Sequence, residues 1–180
     1  LYYPLVSNHN DIGPNNVTPD IVTQGGSTIT YMNDSWQTGS KSARFITTDN
    51  DNSAANPTGG FLSVPSSRGS LFNGSQSFSV SLWTKTSNLA AVMHMFHMGI
   101  GITGTSTGNQ NQAWFRYDTS ASYYVRFAVA TQGMAGNWTD SNTRMADGPW
   151  HPFVAVRERH SSGVDDRYIY IDSVEGANAR

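Results

Sequence analysis

Carboxylates, histidines and loop-borne aromatics are the side chains in this 180-residue sequence that could do chemistry, and their spacing narrows what that chemistry is. Acid–base hydrolysis of a glycoside needs two carboxyl groups roughly 5–9.5 Å apart. The only glutamates are Glu158 and Glu175, and the residues two further on are His160 and Ala177, so neither opens a paired-acid pattern along a strand face. Histidine ligation of a transition metal has no better basis. His94 and His97 are three apart, and on a strand such positions face opposite sides unless a bulge intervenes. His151 and His160 flank one strand without a matching ligand in the sequence.

Hard-cation chemistry is better supplied, because calcium takes oxygen ligands from loops. Asp49-Asn50-Asp51-Asn52-Ser53 resembles the first half of a calcium loop, but Ala54 stands at the turn glycine and Gly60 at the acidic position. Asp49 and Asp51, or Asp165 and Asp166, are therefore the candidate ligands of a loop calcium, with ordinary turn-forming residues as the alternative. Sugar recognition needs aromatic faces flanked by amide, carboxylate or guanidinium groups. Trp138 with Asn137 and Asp140, and Tyr123 beside a turn, are the candidate carbohydrate-binding residues. Trp114 and Arg116 share a strand face opposite Phe115, and Trp36 follows Asn33 and Asp34. Trp83 and Trp150 are expected in the core.

These groups must be positioned by strands. Gln76–Lys85 alternates Phe78, Val80 and Leu82 with Ser77, Ser79, Ser81 and Trp83, the period of a half-buried strand. Shorter strands are expected over 1–6, 27–32, 41–47, 61–64 and 92–98, and a hairpin over 113–117 and 124–130. Residues 132–147 read as mostly loop. Gly148–Asp172 then reads as a second hairpin: a turn at Gly148-Pro149, an alternating strand, a polar turn and another alternating strand. About ten or eleven short strands separated by turn signals predict an all-β sandwich or barrel. No stretch keeps helical periodicity, and no linker divides the chain, so residues 1–180 read as one domain. Charge is sparse (13% Asp, Glu, Lys and Arg) and nearly balanced at −2, which argues against a nucleic-acid partner. No apolar run approaches the roughly 20 residues of a bilayer span, so membrane insertion is not expected. With no cysteine, the fold must stand on its core alone. Sequons at Asn16, Asn33, Asn73 and Asn137 agree with exposed loops.

Three blocks carry a family resemblance. They are Ser42-Ala43-Arg44-Phe45 with Phe61-Leu62-Ser63-Val64-Pro65; Gln76 to Lys85; and Gly148-Pro149-Trp150-His151 with Val154-Ala155-Val156 and Tyr168-Ile169-Tyr170-Ile171-Asp172. In this order they resemble the laminin-G-like, pentraxin-like branch of the concanavalin A-like lectin/glucanase superfamily. Leu1-Tyr2-Tyr3-Pro4-Leu5 with Asp11 is similar to that family's first strand. The resemblance implies an antiparallel jelly-roll sandwich that binds glycans or proteins. Glucanases of that superfamily carry an E-x-D-x-x-E strand pattern, which this chain lacks, so no enzymatic activity is expected. Ser173 stands where the family has glycine, and the family continues beyond this hairpin with closing strands. The sandwich is therefore expected to lack its last strands and to leave an edge open to other protein chains.

The leading expectation is a non-enzymatic carbohydrate-binding or adhesion module, secreted or displayed on a cell or virion surface. Its partners would be glycans or cell-surface polysaccharide. The alternative is a decoration or fibre component of a virus particle or surface filament, with the same fold and no sugar specificity. A glucanase-type hydrolase ranks last.

Overall fold

The computed structural model describes residues 16–24, 26–46, 59–63, 76–87, 93–98, 112–118, 124–130, 137–141, 147–161 and 165–179. All regular structure among them is antiparallel β-sheet, as the alternation predicts. The chain divides into two compact units, 1–71 and 72–180.

The first unit contains two ladders. Strand β1 (Asp20–Gln24) pairs with β4 (Gly59–Ser63), and β2 (Thr28–Met32) pairs with β3 (Ser42–Ile46). The sequence signals β2, β3 and β4 but not β1, whose adjacent apolar residues Ile21 and Val22 break strict alternation. The expected strand over 1–6 lies outside the described residues.

The second unit holds two four-stranded sheets. One runs β12-β11-β10-β5, from Val174–Ala179, Asp165–Ile171, Trp150–Arg159 and Phe78–Lys85. The other runs β6-β7-β8-β9, from Met93–Met98, Gln112–Asp118, Tyr124–Ala130 and Asn137–Asp140. Their inner faces make one core. Ala113, Phe115, Tyr117, Val125, Phe127 and Val129 come from the second sheet; Phe153, Ala155, Ile169 and Ile171 come from the first. Period two dictates this, because each strand sends alternate residues to one face. The rings meet edge-to-face: Phe115 with Phe153 at 6.0 Å, Tyr117 with Phe153 at 5.9 Å, and Phe78 with Phe127 at 6.3 Å. Such pairs contribute about 0.5–1.5 kcal/mol each beyond burial. Thr84 and the Tyr117 hydroxyl share a 2.6 Å hydrogen bond across the two sheets. Burial pushes the Tyr117 phenol up to about 12, with Asp147 adding to the rise and the Thr84 bond opposing it.

Two expectations need correction. Trp83 and Trp150 are not core residues. On β10 the inward row is His151, Phe153, Ala155 and Arg157, which leaves Trp150 half-buried on the outer face. Trp83 sits opposite Pro152 on that outer face and is 40% exposed. Both faces of β10 are apolar, so alternation alone could not tell which one packs inward. Residues 132–147, read as mostly loop, also hold the short strand β9. Finally, β11 does not lack a neighbour: β12 pairs with it in antiparallel register.

The turn that makes β12 reachable is Asp172-Ser173. Both residues have positive φ, 52° and 65°, and they join strands ending at Ile171 and starting at Val174. Two consecutive left-handed residues form the hairpin turn that asparagine or glycine usually fills. Ser173 carries the steric cost of that conformation with a side chain still in place. Ser173→Gly should therefore raise stability by about 0.5–1 kcal/mol, seen as a higher urea midpoint at unchanged slope; a lower midpoint would contradict the turn assignment.

Candidate functional site

The outer face of the β6-β7-β8-β9 sheet gathers the groups suited to binding. Because Phe115, Phe127 and Thr139 point inward, their strand neighbours point out. Two rows result from the register. Trp114 on β7 opposes Ala128 on β8, which opposes Trp138 on β9. In the next row Arg116 opposes Arg126, which opposes Asp140. Strands spaced by about 4.8 Å put the two tryptophans roughly 10 Å apart. Ala128 between them is 1% exposed, so larger neighbours cover it, whereas Trp138 is 53% exposed.

Each arginine lies against an indole. The Arg116 guanidinium carbon is 4.1 Å from the Trp114 ring centre, and that of Arg126 is 5.1 Å from the Trp138 ring. Cation–π contacts of this kind contribute about 0.5–1 kcal/mol at exposed sites. Asp140 then fixes Arg126 with a two-pronged pair: Nε donates to Oδ1, and Nη2 donates to Oδ2 at 2.8 Å. Arg116 and Arg126 are directly opposed like charges, an arrangement that disfavours pairing by tenths of a kcal/mol. The indoles and Asp140 offset it. The result is a flat surface of rigid rings with planar cations and a carboxylate set beside them. It can stack against the C–H face of a sugar and hydrogen-bond its hydroxyls.

Of the candidates read from the sequence, Trp138 and Asp140 meet on this face with Trp114 and Arg116. Asn137 stands opposite Val129, outside both rows. Tyr123, Asp49 and Asp51 lie outside the described residues. Trp36 is exposed, in the first unit. Arg126, which links Trp138 to Asp140, was missed. Its signal was present, since it alternates with the apolar Val125, Phe127 and Val129 and must face away from them.

The histidines also differ from expectation. A bulge between His94 and Phe96 puts His94 opposite Arg116 and His97 opposite Trp114, so both take ladder positions of outward residues. His151 and His160 do have partners. His151 is held between two carboxylates: Nε2 is 2.9 Å from Asp147 Oδ1, and Nδ1 is 2.9 Å from Asp172 Oδ2. His160 Nε2 is 2.8 Å from Asp166 Oδ2. These partners come from other strands or turns, a proximity that the fold creates and linear spacing does not display. His160, Asp166 and Glu158 offer ligand atoms within 4.8 Å of one another at the end of the β10–β11 hairpin. Asp165 and Asp166 are not brought together as a pair of ligands. As neighbours on one strand they face opposite sides, and Asp165 is taken by Arg157 and Arg159. That pairing holds the Asp165 carboxyl below the usual range despite its burial.

No protein-family model, no curated protein and no solved structure matches this chain.

His151 generates a pH dependence. Burial disfavours its charged form, but hydrogen bonds to Asp147 and Asp172, and their negative charges, outweigh that and raise its pKa above 6.5. A raised histidine pKa contributes stability that is full below about 6.5 and is lost as pH rises through the folded value. The unfolding midpoint should therefore fall across that interval above pH 6.5, and His151→Gln should flatten the fall. An unchanged profile in the variant would contradict the assignment.

Proposed function

We propose that this chain is a non-enzymatic carbohydrate-binding module that takes glycans on the outer face of the β6-β7-β8-β9 sheet. The observation that carries the reading is Trp138, exposed on a sheet face and locked beside Arg126 by Asp140. A rigid exposed indole with a fixed cation and acceptor beside it costs little conformational entropy to use in binding. Trp114 and Arg116 repeat the unit one strand over. The order of the three sequence blocks supports the same reading, since they resemble a laminin-G-like lectin domain with a jelly-roll winding. Such a module would act outside the cell or on a particle surface.

Binding is preferred over hydrolysis for a geometric reason. Among the described residues the carboxylate placed beside the indoles is Asp140, and it is engaged by Arg126. A retaining or inverting pair needs a second carboxyl group across the sugar.

One observation favours the structural alternative, a decoration or filament component. The outer face of the other sheet groups Trp83, Pro152, Val154, Val156 and the stacked Tyr168 and Tyr170 beside the serines of β5. Half-buried apolar side chains of this kind suit contact with other protein chains.

A glycan array separates the two. Wild-type protein should bind at least one glycan class, with EDTA present as well as absent, because the indole–guanidinium face needs no cation. Trp138→Ala should weaken that binding by roughly tenfold or more while leaving the fold intact by circular dichroism. Self-assembly with no glycan bound would favour the structural reading instead.

A further inference from the structure

The inner face of the second unit does not stay apolar to its end. Arg157 on β10 and Arg167 on β11 oppose each other in the ladder, and both point inward. They are 1% and 4% exposed. Two residues further along β10, Arg159 opposes Asp165 on the same face. Asp165 is bonded to Arg157 at 3.0 Å and to Arg159 at 2.9 Å. Three guanidinium groups and one carboxylate thus share the inward side of this hairpin end.

Arg167 is the odd member. Its Nε is enclosed and donates no hydrogen bond among the described residues. Burial pushes the guanidinium pKa down and Arg157 pushes it further, against an opposing pull from Asp165 and Asp166. A buried N–H of a cation left without an acceptor keeps its desolvation cost uncompensated. Thr139 adds a second unpaired group: its Oγ1 is also buried without a partner, on β9, the strand that packs against β11 and β12. A planar fork of N–H donors beside a second arginine is the arrangement that matches an oxyanion, whose several oxygens can accept from both.

We propose that this end of the sandwich binds a compact oxyanion on Arg167, with Arg157 supplying the second positive charge. The ligand class is a sulfate or phosphate ion, or the carboxylate of an acidic sugar. The site lies on the inner face of the sandwich, away from the indole–guanidinium surface, and does not depend on the glycan reading.

The test follows the Arg167 Nε–H resonance by NMR in the 15N-labelled 180-residue chain, assigned through bonds from its own backbone. Sodium sulfate, sodium phosphate and sodium glucuronate are titrated against sodium chloride at matched ionic strength. A saturable shift with sulfate or phosphate, absent in chloride, is expected. The same shift with glucuronate identifies a site open to sugar carboxylates; a shift with the inorganic ions alone identifies a free-ion site. Arg167→Met, an apolar near-isostere of the kind buried charges often tolerate, should weaken calorimetric binding of the active anion by at least about tenfold. Should that variant not fold, Arg167→Lys keeps the charge, removes the fork and takes its place. Absence of any saturable shift, or undiminished affinity in a folded Arg167 variant, overturns the proposal.

Discussion

Phe153 is the constraint on which the larger unit depends. It stands in the middle of the longest strand, is fully buried, and meets Phe115 and Tyr117 of the facing sheet edge-on. Burying such a ring contributes about 1.5–3 kcal/mol. Fixing Phe153 inward fixes every other residue of β10, because side chains on a strand alternate without exception short of a bulge. His151 and Arg157 are thereby committed to the inner row on either side of its apolar residues. Neither can be buried alone, and each side accordingly carries carboxylates: Asp147 and Asp172 at one, Asp165 at the other. The apolar core is bounded at both ends of this strand by ionic groups.

The same alternation in the facing sheet creates the proposed binding surface. Phe115 and Phe127 go in, so Trp114, Arg116 and Arg126 go out. Nothing about core packing requires tryptophan and arginine there. Exposed threonine or serine would serve the strand as well, as on the outer side of β5. The outward residues are instead large, planar and mutually restrained, with Asp140 holding Arg126 and Arg126 lying on Trp138. A preorganised surface of that kind reduces the ordering cost of binding.

What was legible in the sequence follows from which signals are local. The strand 78–85 could be read because small hydroxyl residues alternate with apolar ones, leaving one face to bury. The hairpin 150–171 was readable for similar reasons, but the side of β10 that packs was not, since Val154 and Val156 are as apolar as Phe153 and Ala155. That ambiguity misplaced Trp83 and Trp150. β12 escaped notice because Val174–Ala179 holds a glycine and little alternation, and its formation depends on two left-handed residues at Asp172-Ser173. In the site, Trp138 and Asp140 were readable from residue type. Arg126, and the carboxylates on His151, were not, because Arg126 meets Asp140 through cross-strand register, Asp172 reaches His151 from the turn after β11, and Asp147, though near in sequence, is brought to it by the turn before β10.

The proposed glycan site is the face of Trp114, Arg126 and Trp138. Chemical-shift mapping with a bound glycan tests it most directly, because the side-chain N–H resonances of these residues report contact individually. The account predicts that the Trp114 and Trp138 indole signals and the Arg126 Nε–H signal move together on titration. Movement confined to Trp83 and Trp150, on the outer face of the other sheet, with Trp114 and Trp138 unchanged, would contradict it.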